Sequence, residues 1–377
     1  MTSGDASPRL LVAEPTFRGG DHAPINAALV QALTLAAGPV VLATTRVQHD
    51  AISEAEPRAL AGASWQEIEV MAAGGVKPGR ILAQWRTLSA LVAQHRPSRL
   101  VLLSTGPETL FVARALALRF PRLRLFLVLH GVLPAAIGWR SRDPRRRLID
   151  LRAGLRIARH KRIRLVVLED YIRTAALRQR LAETLLVWPH PVVEGEAAPT
   201  GRWSAPARLR IAWVGSANRQ KGFDDFLALR REDGTHYDWT VAGAASAEYD
   251  AAALAGLDVP NGWLDRPTLL TRIRAADYAF VAFRGTYELT ASGSLLDCIN
   301  QRKPILAVRN TALDALARQY GQIGHLCNDL AAVRALLDDE AALRDTAAYA
   351  RFQASLDAIA RDRQPAALAH TIREHIA

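Results

Sequence analysis

The chain has 377 residues and a mass of 41.2 kDa, a length that favours two domains and excludes a small peptide-like binder. Half of its residues are hydrophobic and 23% are charged, as in globular proteins and unlike disordered or fibrous chains. The formal net charge is +11, and residues 1–200 carry the whole excess, with 27 Lys and Arg against 16 Asp and Glu.

Cysteine content and hydropathy predict a cytoplasmic protein. The two cysteines, Cys298 and Cys327, are too few for a disulfide framework or a four-thiolate zinc site, and this favours a reducing compartment. The polar start of the chain, Met1 to Pro8, does not resemble a signal peptide. Charged residues and a proline interrupt the most apolar long stretch, Leu123 to Trp139, so we expect no membrane-spanning helix.

Short apolar segments alternate with helical segments along the first half of the chain. Buried parallel sheets with helices on both faces produce this alternation. The sequence therefore predicts a doubly wound α/β domain over residues 1–200. Its predicted strands are Leu10 to Ala13, Val40 to Ala43, Leu100 to Leu103, Leu123 to Leu129 and Leu165 to Leu168.

A glycine-containing loop, FRGGDH, follows the first predicted strand and opens the first helix. Gly19 and Gly20 allow the backbone to approach a ligand closely. Asp21 and His22 are candidates for acid–base chemistry or for contacts to a substrate. The alternative is that one of them caps the helix.

A single histidine, His130, follows the strand that ends at Leu129 and precedes Gly131. Open α/β sheets bind ligands outside the carboxyl ends of their strands. His130 is therefore a candidate catalytic or ligand-binding residue, and a purely structural histidine is the alternative.

The basic region, which we define as residues Arg114 to Arg180, holds 18 Lys and Arg against four Asp and Glu. Apolar residues lie among these cations at helical spacing, which predicts an amphipathic basic helix on an anionic membrane surface. A solvated face and a nucleic-acid surface are the alternatives, and the lack of interleaved aromatic residues disfavours nucleic acid. The predicted helix carries Arg140, Arg142, Arg145, Arg146, Arg147, Arg152, Arg156, Arg159, Lys161, Arg162 and Arg164.

The segment from Val192 to Arg208 is rich in Pro, Gly and small polar residues and predicts an interdomain linker. Beyond it the alternation restarts, which predicts a second α/β domain over residues 201–345. The tail, with Pro365 as its one expected break, predicts a helical segment over residues 346–377 that can return to the first domain. The predicted strands of the second domain are Leu209 to Val214, Trp239 to Ala242, Tyr278 to Ala282 and Ile305 to Val308.

A glycine turn in the second domain connects a strand to a helix. It runs from Gly215 to Gly222, and the helix begins at Phe223. Backbone N–H groups and the helix dipole at such a point bind phosphate. Arg219 and Lys221 add the positive charge that a diphosphate requires.

A second loop, Phe283 to Gly293, leads into a helix predicted from Ser294 to Gln301. Its small residues offer hydroxyl groups and free amides to a phosphate, or they cap the helix. One turn into the helix, Asp297 can accept hydrogen bonds from a ribose diol or stabilise the helix start. The small residues are Thr290, Ser292, Gly293 and Ser294.

These elements in this order resemble a glycosyltransferase of GT-B fold. The chain is similar to the large retaining family 4 (glycosyl transferases group 1), which includes sucrose synthases and many bacterial mannosyl- and glucosyltransferases. The resemblance extends over nearly the whole chain and is firmest from Ile211 to Val308. It implies two Rossmann-like domains that face each other across a cleft. The segments that carry it are WVGSANRQKGFDDFLAL, LLTRIRAADYAFVAF and SGSLLDCINQRKPILAV.

The resemblance also assigns roles to residues of the first domain and of the glycine turn. Gly19 and Gly20 resemble the glycine pair near the donor phosphates. Lys221 resembles the lysine that binds the diphosphate. His130 resembles a histidine near the transferred sugar.

Two departures from the family pattern concern the donor-binding residues. Asp297 stands seven residues before Pro304, where the family usually has its ribose-binding glutamate. Glu288 and Asp297 are nine positions apart, whereas the two family glutamates are eight apart. Ser216 occupies the place of a phosphate-binding arginine, and Arg219 is the candidate substitute.

The resemblance implies transfer of a hexose from a nucleotide diphosphate sugar, held by the second domain, to a glycan or polyprenyl-diphosphate-linked acceptor held by the first. The expected context is exopolysaccharide or lipopolysaccharide assembly at the inner face of the cytoplasmic membrane, reached through the basic region. In a retaining enzyme a positioned cation and helix termini stabilise the leaving diphosphate, so no metal or other cofactor is expected. An inverting enzyme would use Asp21 or His22 as general base. The alternatives are a sugar-nucleotide epimerase, a nucleic-acid-binding protein and a non-catalytic partner subunit.

Overall fold

The computed structural model describes residues 10–17, 19–20, 22–70, 78–138, 150–198, 201–233, 236–260, 262, 264–283 and 285–377. The chain divides into two compact units. Unit 1 takes in the chain up to Glu194 together with Leu289–Ala291 and Arg363–Ala377, and unit 2 comprises Gly195–Glu288 and Ser292–Asp362. The divisions therefore fall after residues 194 and 362, whereas the sequence predicts domain boundaries at residues 200 and 345.

The strands of unit 1 are β1 (Leu10–Ala13), β2 (Val40–Thr44), β3 (Ala63–Glu67), β4 (Arg99–Leu102), β5 (Arg124–Val128), β6 (Ile163–Val167) and β7 (Leu186–Val187). They form one parallel sheet in the order β3-β2-β1-β4-β5-β6-β7. All residues of β1 and β2 are buried, which explains why these strands are continuous apolar runs in the sequence. The short edge strands β3 and β7 were not predicted.

Helices connect the strands of unit 1. A proline in the first turn of the first helix supplies the backbone angle that a helix start requires. The helices are α1 (Ala23–Ala37), α2 (Arg46–Ala55), α3 (Pro78–His95), α4 (Pro107–Arg119), α5 (Ala135–Gly138), α6 (Leu151–Ile157) and α7 (Asp170–Arg178).

Unit 2 is a second parallel α/β unit. Its strands are β8 (Arg210–Val214), β9 (Asp238–Ala242), β10 (Tyr278–Val281), β11 (Ile305–Val308) and β12 (Gly324–Cys327), in the order β12-β11-β10-β8-β9. Its helices are α8 (Phe223–Asp233), α9 (Arg266–Ala275), α10 (Gly293–Asn300), α11 (Thr311–Tyr320), α12 (Leu330–Asp338), α13 (Glu340–Arg344) and α14 (Thr346–Asp362).

Aromatic side chains fill the core of unit 2. The Trp213 ring lies 5.0 Å from that of Phe223, and the Phe226 ring lies 5.1 Å from that of Trp239. These rings are nearly or fully buried, and such pairs add to the stability gained from their buried area. The core therefore fixes β8 and α8, the two elements on either side of the glycine turn.

The described residues of the predicted linker pack within the unit to which each belongs, residues 192–194 in unit 1 and residues 195–198 and 201–208 in unit 2. The backbone N–H of Val192 donates to the carbonyl of Arg363 in unit 1. In unit 2, Glu196 is buried and paired with Arg266, and the ring of Trp203 stacks on Tyr349 at 3.8 Å. The last helix, α15 (Pro365–Ile376), belongs to unit 1, where it packs against α1.

The predicted basic helix ends earlier in the structure than expected. Helix α6 ends at Ile157, and the chain from Ile163 onwards forms β6, which pairs with β5 and β7. The interpretation of residues 158–164 as helical was wrong because the apolar residues after Lys161 belong to a buried strand. The first arginine cluster, residues 140–147, lies outside the described residues. In the described part of the chain, no helix has the length and apolar character needed to cross a membrane.

Candidate functional site

The glycine turn of unit 2 leads from β8 directly into α8. The chain turns at Gly215, whose φ is +89°, and forms a single helical turn over Arg219–Lys221. The side chain of Asn218 accepts a hydrogen bond of 2.9 Å from the backbone N–H of Lys221. At Gly222, φ is +83° and an added Cβ would lie 2.2 Å from the carbonyl oxygen of Ala282, so only glycine fits this close approach.

Three residues from the two loops of unit 2 converge at the end of β8. The Lys221 Nζ lies 3.4 Å from Ser294 Oγ. A Cβ added at Gly215 would lie 2.0 Å from Ser294 Oγ and 3.3 Å from Lys221 Nζ. Burial lowers the pKa of Lys221, and the charge of Asp297 opposes this effect. A partly buried ammonium group beside a glycine turn and a helix start is the arrangement that binds phosphate.

The second loop ends in a capped helix. Ser292 accepts a hydrogen bond of 3.3 Å from the backbone N–H of Leu295, so it caps α10 as the alternative interpretation expected. Gly293, the first residue of α10, is exposed. Thr290 accepts a hydrogen bond of 3.0 Å at its carbonyl from the Tyr171 hydroxyl, both being residues of unit 1.

The two acidic candidates of unit 2 differ in their surroundings. Asp297 Oδ1 accepts a hydrogen bond of 2.7 Å from Arg266 Nη2, and the Arg266 Nε donates at 2.8 Å to the buried Glu196. Glu288 is half-buried in a short helical turn, Gly285–Leu289. The structure thus gives Asp297 a protein partner, and its predicted contact with a ribose stays a prediction.

Arg219 and Ser216 do not join the Lys221 group. Arg219 is exposed, and its Nε lies 3.8 Å from Asp224 Oδ2. The Ser216 hydroxyl accepts a hydrogen bond of 3.2 Å from the side-chain amide of Asn218. Among the described residues of the two loops, Lys221 is the cation that lies beside Ser294.

In unit 1, three histidines that follow different strands come together. His22 is the residue before α1, with φ +66° and no capping hydrogen bond from its side chain. Its ring lies 4.2 Å from that of His130 and 4.4 Å from that of Phe17. The ring of His190 meets that of His130 edge-on at 5.8 Å. Asp21 lies outside the described residues.

Burial favours the neutral imidazole at two members of this histidine cluster, His130 and His190. Burial lowers the pKa of His130 well below its ordinary value, and the nearby His22 and His190 lower it further. Burial lowers the pKa of His190 to about 4. Among the described residues, no hydrogen-bond partner reaches the buried Nδ1 of His130. A neutral imidazole with a free nitrogen can hydrogen-bond a substrate hydroxyl or accept its proton.

The glycine loop of unit 1 is shaped by a buried carboxyl group that sequence reasoning missed. Glu14 accepts hydrogen bonds from the backbone N–H groups of Thr16 and Phe17 at 2.9 and 3.2 Å. Burial raises the pKa of Glu14. In this loop Gly19 is half-buried and Gly20 is exposed, and a Cβ added at Gly19 would meet no heavy atom within 4 Å. The signal for Glu14 was present, since an acidic residue directly follows a buried strand.

Two ion pairs contain arginines that also contact site residues, and no pattern in the sequence predicts these pairs. Arg266 and Glu196 are 70 residues apart, and Arg363 and Glu169 are 194 residues apart. The Arg363 Nη1 also donates to the carbonyl of His190 at 3.3 Å. In the described part of the chain, no group of three or more His, Cys, Asp or Glu side chains is placed to hold a metal ion.

The sequence matches no protein-family model and no curated protein sequence. Solved structures share its fold: a glycosyltransferase from Rickettsia africae has a TM-score of 0.70 at 10% identity, with 98% of both chains covered. HepE of Anabaena, in complex with UDP and glucose, has a TM-score of 0.68 at 12% identity over 98% of this chain and 99% of that one. Sucrose-phosphate synthase from Thermosynechococcus elongatus has a TM-score of 0.67 at 13% identity, over 97% of this chain and 98% of that one. The chain therefore has the α/β fold of GT-B glycosyltransferases, which confirms the fold expected from the sequence.

Proposed function

We propose that this protein is a glycosyltransferase that moves a sugar from a nucleotide diphosphate sugar to an acceptor. The loops of unit 2 bind the donor diphosphate, and the histidine cluster of unit 1 binds the acceptor. The observation that carries the proposal is the convergence of Gly215, Lys221 and Ser294 at the end of β8. The neighbour HepE was solved with UDP-glucose, which supports a nucleotide sugar as the donor.

The chemistry follows from the charges in unit 2. Cleavage of the bond between sugar and diphosphate places negative charge on the leaving phosphate. The Lys221 ammonium group and the Ser294 hydroxyl at the start of α10 stabilise this charge. Because they are positioned before the reaction, they lower the barrier without a large rearrangement.

Two stereochemical outcomes are compatible with this donor site. We favour retention, in which the positioned cation stabilises the departing diphosphate and an oxygen of that leaving group accepts the proton of the acceptor hydroxyl, so that no protein base is needed. In an inverting enzyme, Asp21 or His22 acts as general base on the acceptor hydroxyl. The anomeric configuration of the product, measured by NMR, distinguishes the two.

The acceptor that we propose is a glycan or a polyprenyl-diphosphate-linked sugar in cell-surface polysaccharide assembly. The charge of the basic region supports it, because an anionic bilayer attracts clustered cations. The enzyme would then act as a peripheral protein at the inner face of the cytoplasmic membrane.

The test is a thermal-shift and calorimetric panel of UDP-, GDP- and dTDP-sugars. A ligand that binds only the native state raises the melting temperature. We expect one nucleotide class to raise it for the wild type, and Lys221→Ala to weaken that binding about tenfold or more, because a charged hydrogen-bond donor is lost.

The matched control is Lys303→Ala. Lys303 precedes β11 and donates to the carbonyl of Arg274 at 2.7 Å, so it lies at the amino end of the sheet, away from the donor loops. Its variant should bind the nucleotide as the wild type does. The proposal fails if no nucleotide sugar raises the melting temperature, or if both lysine variants lose binding equally.

A further inference from the structure

Unit 2 contains a cavity of about 540 Å³ at the end of its sheet opposite to the donor loops. It is lined by the first residues of β8 and β9, whereas Gly215 follows the last residue of β8. With a rise of about 3.3 Å per residue, the two ends of β8 are roughly 13 Å apart. The volume of the cavity falls in the range of small-molecule sites.

Cations outnumber anions in the walls of this cavity. Four guanidinium groups and two carboxylates line it, which leaves two positive charges uncompensated. The charged residues are Arg208, Arg210, Arg230, Arg272, Asp238 and Asp258.

Three of the four arginines are held in place by hydrogen bonds to the protein. The Arg210 Nη1 donates to the carbonyl of Ala275 at 2.9 Å. The Arg272 Nη1 donates to the carbonyl of Val241 at 3.1 Å, and Arg272 also pairs with Asp258 at 2.8 Å. Arg208 pairs with Asp238 at 3.1 Å. These contacts keep the guanidinium groups around the cavity.

The fourth arginine, Arg230 on α8, is half-buried. Among the residues that the structure describes, none forms a hydrogen bond or ion pair with its guanidinium group. Its Nη2 occupies the space beside Gly256, where an added Cβ would lie only 2.6 Å away. Gly256 has φ +71°, so a glycine there both permits the turn and leaves room for the arginine. A guanidinium group with five N–H donors thus enters a cationic cavity with no acceptor among the described residues.

We propose that this cavity is a second ligand site, which binds a small molecule that carries a phosphate group. Arg230 contacts the phosphate, because a planar guanidinium group matches two phosphate oxygens at once. The remainder of the ligand lies along Trp239, a residue that lines the cavity. The site is separate from the donor loops and does not depend on the proposed transferase activity.

The experiment measures binding of glucose 1-phosphate and inorganic phosphate by calorimetry to the full chain carrying Lys221→Ala, which weakens the donor site. We expect saturable binding, and we expect Arg230→Gln in the same background to raise the Kd about tenfold or more, the effect of losing charged hydrogen bonds. Glucose, which lacks the phosphate, should not bind. Two outcomes support the site. If glucose 1-phosphate binds more tightly than phosphate, the site also recognises the sugar, and if the two bind equally, it recognises the phosphate group alone.

The matched control is Arg231→Gln, the neighbour of Arg230 on α8, which is exposed and absent from the cavity wall. Gly256→Ala gives a second measurement, because the added Cβ displaces the Arg230 guanidinium group from its place beside residue 256 and does not change the charge of the protein. The inference is overturned if Arg230→Gln and Arg231→Gln bind the probes equally. It is also overturned if the Lys221→Ala protein binds neither probe. Nucleotide binding by the wild type is scored separately, so failure of the transferase proposal leaves this result interpretable.

Discussion

Gly215 determines how closely the two loops of unit 2 approach each other. Any side chain there would collide with Ser294, since its Cβ would lie 2.0 Å from Ser294 Oγ. The φ of +89° adds strain of about 1–2 kcal/mol for a non-glycine residue. We therefore predict that Gly215→Ala abolishes nucleotide binding and lowers the free energy of unfolding by about 1–3 kcal/mol, as measured by calorimetry and urea denaturation.

The control for this prediction is Gly201→Ala, also in unit 2. A Cβ at Gly201 meets no heavy atom within 4 Å, and its backbone angle lies outside the left-handed region. Its effect on stability should stay within about 0.5 kcal/mol. Nucleotide binding by Gly215→Ala at wild-type affinity would contradict the geometry of the loop.

The histidine cluster should make the protein less stable in acid. Burial lowers the pKa of His190 to about 4 from 6.5. Between these pH values the unfolded chain binds a proton that the folded chain does not, so stability falls as the pH decreases. The difference between these two pKa values corresponds to roughly 3 kcal/mol in the free energy of unfolding. We therefore predict that the free energy of unfolding of His190→Asn falls much less than that of the wild type between pH 6.5 and pH 4.5.

The measurement is urea denaturation of the wild type and of His190→Asn at several pH values. Asn is chosen because its amide can replace the ring N–H that faces the carbonyl of Pro191 at 2.9 Å. His130 adds to the slope in both proteins, because burial also lowers its pKa. Parallel pH profiles of the two proteins would show that His190 does not titrate as proposed.

At the scale of elements, the apolar runs located the central strands because both faces of those strands are buried. The edge strand β3 escaped prediction because none of its five residues is buried and three of them, Ser64, Gln66 and Glu67, are polar. The chain segment after Lys161 shows a different error, because its first residues were predicted to be helical and form a strand. Its arginines fitted a helical spacing, but its hydrogen bonds to β5 and β7 make it a strand.

The candidate sites were predictable to the extent that they follow strand ends. Lys221 and His130 lie beside strand ends and were identified from that position. His190 was not, because the strand before it, β7, was not predicted. Arg266 was not, because its role comes from contacts with residues far away in the chain. No local pattern distinguishes a distant arginine that pairs with Asp297 from any other surface arginine.

The return of the chain to unit 1 depends on a buried ion pair. Arg363, just before α15, donates from Nη2 to Glu169 Oε2 at 2.9 Å, and both side chains are nearly buried. Removing one partner leaves an uncompensated charge. We predict that Arg363→Met lowers the free energy of unfolding by about 3–5 kcal/mol, measured by urea denaturation at pH 7.

Two variants show whether this loss comes from the unpaired carboxylate. Adding Glu169→Leu to Arg363→Met removes the buried charge and should restore most of the stability. Arg361→Met, at a position that is 71% exposed, should change stability by less than about 0.5 kcal/mol. If the double variant is as unstable as Arg363→Met, packing rather than charge explains the loss.

At the scale of the whole molecule, the basic region is only partly available to an outside partner. Arg162 donates to the carbonyl of Pro121 at 2.8 Å, and Arg159 pairs with Glu183 at 2.6 Å. Arg156 and Arg164 are exposed, and Ile157 beside them is 40% exposed. A membrane would therefore contact these exposed cations and not the arginines that hold the fold together.

Charge reversal tests this surface directly. Each cation near an anionic bilayer contributes about 1 kcal/mol of attraction, so Arg156→Glu with Arg164→Glu should lower the bound fraction more than tenfold in flotation with vesicles that contain anionic lipid. Arg318→Glu with Arg351→Glu, two exposed positions of unit 2, makes the same change in net charge and should float as the wild type does.

Binding should also weaken as salt rises, because screening shortens the reach of the charges to about 10 Å at 0.1 M. Equal flotation of the two double variants would show that net charge alone attracts the protein, and no flotation of the wild type at low salt would remove the membrane from the proposal while leaving the transferase activity untouched.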